Sequence, residues 1–371
     1  MDIKVITRHA PSNYGSLLQS IATIKVLNTL GHDCQIIDYI RDDEKGLGGV
    51  LTALKQKPSW YNNPLKRLLY ILVRYPEQKW EERHFEKMRK KFLNLTPRYS
   101  SLDELKEIKA HIFLTGSDQV WGPLLNGNFD PAYFLSFVKN ENCKIAYAAS
   151  FGRTDFSPNI IQQYQKLLNR YHAISVREDS AVKTLKDMGI EPVHQVLDPT
   201  LLLTKEQWLS MTSPNQHKGN YVLAYQIHND KKFSIYAKQF ATYVGMPLYR
   251  ISPSLHQMLR GGQFIYLPSV AKFLSFINSA KYIVTDSFHG TCFSINFNKN
   301  FIEILPNTKT GSRNQSILKL TGLENRIVTN LNDFSIAHNN IDYNRVNTII
   351  SEHREHSIKI LNEMLHINPN F

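Results

Sequence analysis

One histidine in the C-terminal half of the chain is placed for proton transfer. Residues 282–294 read as an apolar strand that ends in Asp-Ser, followed by His289 at the turn and by a helix that opens with Gly290 and Thr291. Free amides at a helix N-terminus can hold a phosphate or a carboxylate. With Ser287 they predict an anion cradle beside His289, which can act as a proton donor. The alternative is a histidine that only caps the helix.

Three basic residues are candidates for binding an anionic ligand. Arg177 follows a short apolar strand, and Lys309 and Arg313 lie in a Gly-containing loop just before a predicted helix. Arginine grips a planar carboxylate or phosphate through two parallel hydrogen bonds, whereas lysine acts more as a point charge. The alternatives are a solvated surface loop for Lys309 and Arg313, and a local ion pair with Glu178 or Asp179 for Arg177.

Two further loops carry candidate residues. Asp118 lies beside a strand end, where a general base and a helix N-cap are the competing interpretations. Asn13, Tyr14 and Gly15 form the first strand-to-helix turn, where backbone amides and the asparagine side chain can contact a ligand. This turn lacks the GxGxxG dinucleotide fingerprint, which argues against nicotinamide binding.

Other common catalytic motifs do not occur in the sequence. There is no GxSxG elbow, no GxxxxGK[ST] loop and no HExxH pair, and the 14 histidines show no ligand spacing. The three cysteines, Cys34, Cys143 and Cys292, form no CxxC pair, which argues against a disulfide framework and predicts a reducing compartment. The sequence predicts no metal and no cofactor.

Alternating strands and helices must position these residues. A strand over 3–7, a helix over 17–30 that stops at Gly31 and a strand over 35–39 form a βαβ unit, which needs a parallel sheet covered by helices. Ligands of open parallel sheets bind beyond the carboxyl ends of the strands. Further strands are expected at 111–115, 144–149, 173–176, 221–225, 247–251, 282–285 and 301–304, and helices at 233–244, 269–280 and 344–365.

The length of 371 residues suggests two domains. The polar, Pro- and Gly-containing stretch 212–220 is a plausible interdomain linker, and Asp198 with Pro199 is interpreted as a structural turn leading into it. We expect a Rossmann-like domain over 1–210, a second one over 211–371 that includes the C-terminal helix, and a cleft between them.

A basic insertion of about residues 41–99 interrupts the first domain. The chain carries a formal net charge of +12, and eleven Lys or Arg face only four Glu between Lys55 and Lys91. One interpretation is a docking surface for an anionic membrane or a lipid-diphosphate-linked sugar; the other is ordinary helices whose cations cover the domain. The N-terminus turns polar too early for a signal peptide, and the longest apolar run, Leu68 to Val73, is too short to span a bilayer. We expect a cytoplasmic protein, with peripheral association at the inner face of the membrane as the alternative.

Taken together, the motifs resemble the polysaccharide pyruvyl transferase family, over about residues 5–330. Each motif is weak alone, but their order along the chain is specific. The motifs are Asn13-Tyr14-Gly15, Gly116-Ser117-Asp118-Gln119-Val120-Trp121, Tyr147-Ala148-Ala149-Ser150-Phe151-Gly152, Ser175-Val176-Arg177-Glu178, Asp198-Pro199-Thr200-Leu201-Leu202 and Asp286-Ser287-Phe288-His289-Gly290-Thr291, followed by Arg313.

The resemblance implies an α/β fold of two Rossmann-like domains facing a central cleft, like that of GT-B glycosyltransferases. It also implies transfer of pyruvate from phosphoenolpyruvate onto hydroxyls of a polysaccharide or its lipid-linked saccharide precursor, as a ketal and without a metal. In that chemistry Arg177, Lys309 and Arg313 supply positive charge, His289 protonates the donor and Asp118 is a candidate base for the acceptor.

Two other functions compete with this interpretation. A nucleotide-sugar glycosyltransferase would use the same cleft and anion cradle for a diphosphate leaving group. A non-catalytic nucleic-acid-binding protein would exploit the positive charge, but that charge is concentrated in one insertion and no groove-reading motif is present. We therefore expect phosphoenolpyruvate and a saccharide as partners, and no nucleic acid.

Overall fold

Two parallel sheets, one from each half of the chain, form the framework of the structure, a computed structural model that describes residues 1–124, 127–212, 219–306 and 311–367. The first sheet has seven strands in the order β3-β2-β1-β4-β5-β6-β7. Its strands are β1 (Asp2–Ile6), β2 (Asp33–Tyr39), β3 (Leu95–Tyr99), β4 (Ile112–Thr115), β5 (Cys143–Ala149), β6 (Ala173–Val176) and β7 (Val193–Gln195).

Helices cover both faces of this sheet, as a parallel sheet requires. The first helix begins at Tyr14, where the Asn13 side chain accepts a hydrogen bond from the Gly15 amide, and Gly31 past its end has a positive φ of 85°. The helices of this half are α1 (Tyr14–Thr29), α2 (Gly46–Lys55), α3 (Pro58–Tyr61), α4 (Pro64–Phe92), α5 (Leu102–Leu105), α6 (Pro158–Leu168), α7 (Asp179–Asp187), α8 (Pro199–Leu202) and α9 (Lys205–Leu209).

Three helices, α2 to α4, make up most of the basic insertion. The 29-residue helix α4 begins after Asn63, whose side chain accepts from the Lys66 amide, and has Pro64 in its first turn. Its buried residues lie in the second half, from Glu81 onwards. The stretch Leu95–Tyr99, which the sequence analysis included in the insertion, forms edge strand β3 and pairs with β2.

The second sheet has five parallel strands in the order β10-β9-β8-β11-β12. Its strands are β8 (Val222–Tyr225), β9 (Leu248–Ser252), β10 (Gln263–Tyr266), β11 (Tyr282–Thr285) and β12 (Asn300–Glu303), and its helices are α10 (Lys231–Tyr243), α11 (Val270–Ser279), α12 (Phe288–Asn296), α13 (Ser312–Thr321) and α14 (Tyr343–Leu365). The predicted α/β class with two Rossmann-like sheets is confirmed, although β10 was not predicted. The proposed linker lies mostly outside the described residues, so the boundary at 210 stays a prediction.

One hydrophobic core runs through both halves of the chain. Tyr14 of α1 stacks on Phe273 of α11 with ring centroids 4.4 Å apart, and its hydroxyl donates to the Pro268 carbonyl. Helix α14 also returns to the first half, where Ser357 accepts from the Leu197 amide at 2.9 Å. These contacts hold the carboxyl edge of the first sheet against the N-terminus of α12.

Candidate active site

A cluster of buried charged residues lies where the two halves meet. Asp118 follows β4, Arg177 follows β6 and Asp198 precedes α8, all on the N-terminal side of the junction. His289, on the first turn of α12, comes from the C-terminal side. All four are buried. The structure therefore brings together residues that are far apart in the sequence.

Arg177 is the centre of this cluster. Its Nη1 donates to Asp198 Oδ2 at 2.9 Å, and its Nη2 lies 3.6 Å from Asp118 Oδ1. Its Nε lies 3.6 Å from Glu178 Oε2, so within the described part of the chain neither Nε nor Nη2 has a hydrogen-bond partner. The predicted local pair with Glu178 is thus only one of three ion pairs, and Asp179 pairs with Lys319 instead.

Nearby positive charge keeps the two aspartates ionised although both are buried. Burial alone would raise the pKa of Asp118, but Arg177 and His289 reverse that effect and hold it well below its ordinary value. Burial likewise disfavours the Asp198 carboxylate, and His289, Arg177 and the Thr200 amide lower its pKa below normal. Asp118 is not an N-cap, because no helix begins there; its backbone has a positive φ of 77°.

Asp198 also anchors the geometry of the cluster. Its Oδ1 accepts from the Thr200 amide at 2.9 Å, which caps α8, and its Oδ2 accepts from Ser117 Oγ at 2.8 Å. The same Oδ2 lies 3.8 Å from His289 Nε2. The sequence predicts this residue only as a structural turn, and its contact with His289 is a second role that was missed; the signal was an acidic residue directly after an apolar stretch.

His289 is held in position by close packing around α12. Ser287, not His289, is the N-cap, because the Ser287 side chain accepts from the Gly290 amide. A Cβ on Gly290 would lie 2.2 Å from Thr285 Oγ1, and one on Gly15 would lie 2.1 Å from His289 Nδ1. A side chain at either glycine would therefore collide with its neighbour, so both positions require glycine. The imidazole is consequently fixed between the two halves.

Two opposing influences set the protonation of His289. Burial lowers its pKa below the ordinary value, Asp198 and Asp118 push it back up, and Arg177 and Arg313 lower it again. Its Nε2 is buried, and no described residue forms a hydrogen bond with it. Buried polar groups are normally satisfied, so an unpartnered one at a cleft needs an explanation such as a ligand.

Arg313 joins the cluster from α13. Burial, together with the nearby Arg177, lowers its pKa to about 10. Both guanidinium groups lie against the ring of Phe288, at 4.4 Å for Arg177 and 5.8 Å for Arg313. With the Gln119 amide turned so that its oxygen faces the guanidinium, it accepts from Arg313 Nη1 at 3.2 Å. Phe288 and Gln119 were not predicted as site residues, because neither residue type is characteristic of anion binding or proton transfer.

Other predicted site residues have structural partners in the described part of the chain. Asn13 caps α1 and Tyr14 joins the two halves, as described above. Thr291 Oγ1 lies against Glu303, a buried carboxyl whose pKa burial raises to about 8, and so faces away from the cluster. Lys309 lies outside the described residues.

A cavity of about 960 Å³ adjoins the cluster on the N-terminal domain. It lies between helices α2 and α4 and the loops after β1, β2, β4 and β5, and eight basic and five acidic side chains line it. Arg177, Asp118, Asp198 and His289 do not line it, so this cavity lies beside the charged cluster and does not contain it. Gln119 belongs to both, because it lines the cavity and contacts Arg313.

Two features are absent from the described residues, a metal-binding cluster and a membrane-spanning helix. No three His, Cys, Asp or Glu side chains come together in an arrangement that could hold a metal ion within that part of the chain. Among the helices described, none combines the length and the apolar character that crossing a bilayer demands.

The fold and the cluster define a two-domain α/β protein of the GT-B type, with charged residues from both domains at the junction. A sequence model of the polysaccharide pyruvyl transferase family matches residues 13–307. The chain therefore belongs to that family, which places it among transferases of polysaccharide biosynthesis. Arg313 lies beyond the last matched residue.

Comparison with solved structures supports the same fold. The UDP-GlcNAc 2-epimerase from Neisseria meningitidis, bound to UDP-GlcNAc, aligns over 99% of this chain and 100% of its own at 11% identity, with a TM-score of 0.51. The Staphylococcus aureus MnaA structure with UDP aligns over 96% and 90% at 13% identity, with a TM-score of 0.50. At such low identity these likenesses show the fold alone. No curated protein sequence matches the chain.

Proposed function

We propose that this protein transfers the pyruvyl group of phosphoenolpyruvate onto two hydroxyls of a saccharide, forming a ketal and releasing phosphate. One observation carries the proposal. The guanidinium of Arg177 and the imidazole of His289 come from opposite domains, and both keep buried nitrogen atoms that have no hydrogen-bond partner among the described residues. A small donor with a phosphate and a carboxylate would satisfy these atoms.

The two arginines favour a dianionic donor. Arg177 and Arg313 lie against the same Phe288 ring, and each disfavours the charge of the other. An anion bound between them would relieve this repulsion and form the paired hydrogen bonds that arginine offers to carboxylate and phosphate. Asp198 holds Arg177 in place through one nitrogen and leaves the others for the donor.

The proton goes from His289 Nε2 to the methylene carbon of the donor, which becomes a methyl group. A first acceptor hydroxyl attacks carbon 2 and loses its proton to Asp118, and phosphate leaves with its bridging oxygen. A second hydroxyl then closes the ketal. Of the two hydroxyl protons released, one restores His289 and the other ends on phosphate. Asp198 stabilises the protonated imidazole before transfer.

The low pKa of Asp118 limits its role as a base. Its carboxylate accepts from Ser16 Oγ at 2.7 Å and sits near Arg177, so it is ionised but weakly basic in the resting site. We propose that it accepts the hydroxyl proton only as the new bond forms, when the acidity of that hydroxyl rises. Its first contribution is then to orient the acceptor.

The adjoining cavity is the proposed acceptor site. Its volume suits one or a few sugar rings, and its mixed acidic and basic lining offers partners for hydroxyls and for the phosphates of a lipid-linked precursor. Gln119 connects the cavity to Arg313 and thus to the donor. Because the cluster itself is buried, we propose that the two domains separate for the donor to enter.

The three cysteines are free thiols, in keeping with a proposed cytoplasmic site of action.

The test is phosphate release from phosphoenolpyruvate in the presence of a panel of methyl glycosides, with mass spectrometry of the products. We expect a product heavier than its glycoside by one pyruvate less one water. His289→Ala and Arg313→Ala should each abolish release, while His228→Ala, a matched change at a histidine that lies beside Asp286, should retain it. Wild-type turnover in both site variants would refute the assignment.

The second candidate function is a nucleotide-sugar glycosyltransferase, because the two compared structures contain UDP or UDP-GlcNAc. Thermal-shift titration separates the two functions, since a ligand raises the unfolding temperature only where it binds the folded state. Stabilisation by phosphoenolpyruvate but not by UDP or GDP supports pyruvyl transfer. The reverse pattern would favour the glycosyltransferase.

A further inference from the structure

Helix α4 exposes an apolar ridge from its first turn to just past its midpoint. The side chains of its leucine, valine and tryptophan residues are 54% to 79% exposed. At 3.6 residues per turn their positions fall on one continuous face of the helix. We define the apolar ridge as Leu65, Leu68, Leu69, Leu72, Val73 and Trp80.

This exposure contradicts the interpretation of the insertion as ordinary helices lying over the domain. A core-facing helix turns its apolar stripe inwards, and α4 does so only in its second half, where Phe85 and Met88 are buried. A contiguous exposed apolar surface on a folded protein marks an interaction site. The ridge therefore needs a partner that the described chain does not supply.

Cations continue the same face of α4 beyond the ridge. Lys79, Arg83 and Lys87 follow at four-residue spacing, and all three are exposed. The acidic residues of this helix are engaged elsewhere: Glu81 accepts from Arg74, and Glu82 accepts from the Gly46 amide. One face thus presents apolar side chains followed by cations that form no ion pair within the described part of the chain.

A second exposed apolar group lies beside the ridge. The Leu255 amide donates to Glu77 of α4 at 2.7 Å, which places the 3-10 helix Leu255–Arg260 of the C-terminal domain next to it. Leu255, Met258 and Leu259 are exposed, Leu259 by 84%. Exposed apolar side chains are therefore present on both domains near this contact.

We propose that this surface docks the protein on an anionic lipid bilayer, with the ridge in the headgroup boundary and the cations against lipid phosphates. Interfacial helices combine these two features, and a basic cluster next to an apolar face matches the negative charge of a bilayer. A second copy of the chain would bring the same cations together and is disfavoured by charge. Arg74 and Gln78 of α4 line the cavity from the side of the helix away from the ridge, so docking would place this helix between the cavity and the membrane. The proposal does not depend on the pyruvyl transfer reaction.

The test is cosedimentation of the full-length protein with vesicles of phosphatidylcholine alone or mixed with phosphatidylglycerol. We expect binding to the anionic vesicles that weakens as salt rises. Leu69→Ser with Leu72→Ser, and separately Arg83→Gln with Lys87→Gln, should each reduce the bound fraction by about tenfold or more. The matched controls are Ile235→Ser on α10 and Lys359→Gln on α14, both at exposed positions. These two variants should bind the vesicles as the wild type does.

Three outcomes would overturn the proposal. The first is wild-type binding that does not distinguish neutral from anionic vesicles. The second is unchanged binding by both double variants with unaltered unfolding temperatures. The third is a wild-type dimer in light scattering that the leucine variant dissociates, with no vesicle binding, which would assign the ridge to a second copy. If the leucine variant fails to fold, the Arg83 and Lys87 variant still decides, because both of its side chains are exposed.

Discussion

Replacing Asp198 by asparagine should move the pH dependence of the reaction in a defined direction. Asp198 Oδ2 lies 3.8 Å from His289 Nε2. At an effective dielectric constant of about 20, one unit charge at that distance stabilises the imidazolium by about 4 kcal/mol. This corresponds to about three pKa units. Burial already lowers the pKa of His289, and loss of Asp198 lowers it further.

The expected result is a slower enzyme at neutral pH, with the alkaline limb of the rate profile displaced to lower pH. The protonated fraction of His289 falls by up to about 10³-fold, but the imidazolium becomes a stronger acid, so the rate should drop by about 10- to 10³-fold. The measurement is the pH profile of phosphate release by wild type, Asp198→Asn and Asp286→Asn. Asp286 is the matched control, a buried carboxylate that binds the 227 and 228 amides instead. A neutral-pH rate for Asp198→Asn within about twofold of wild type, with an unmoved limb, would refute the reasoning.

Three other variants test separate contacts. Gly15→Ala puts a methyl group where the His289 ring lies, so turnover should fall by about 10²-fold in a folded protein, measured by phosphate release. Phe288→Leu removes the ring under Arg177, and calorimetry should show phosphoenolpyruvate binding weakened by about tenfold. Burial raises the pKa of Glu303 to about 8, so this carboxyl binds a proton more tightly in the folded state than in the unfolded state. That preference stabilises the fold by up to about 5 kcal/mol at low pH, and the stabilisation is lost as the pH rises from about 4.5 to 8. Glu303→Gln should therefore flatten the pH dependence of thermal unfolding over that range.

Much of the fold follows from local patterns. The strands at 173–176 and 282–285 occur where the apolar runs predict them, and the helix predicted to stop at Gly31 ends at Thr29. Parallel topology and the carboxyl-edge rule then place Arg177 and His289 near the cleft. Edge strands β3, β7 and β10 were missed, because Leu95–Tyr99 and Val193–Gln195 carry few continuous apolar residues and Gln263–Tyr266 has an apolar run of only three.

The composition of the site required the three-dimensional structure. Asp198 looks like a turn residue because it caps α8, and only the docking of α12 shows that it also faces His289. Tyr14 looked like a ligand contact, yet it stacks on Phe273 of the other domain. The ridge of α4 was likewise ambiguous, since spacing alone does not tell an inward face from an exposed one. Interdomain contacts leave no local sequence signal.

The most direct test of the central claim is a crystal structure with phosphoenolpyruvate bound. The account predicts that Arg177 Nε or Nη2 and Arg313 contact the phosphate and carboxylate, and that the methylene carbon faces His289 Nε2. A donor found elsewhere, or bound with its methylene carbon turned away from His289, would contradict the account.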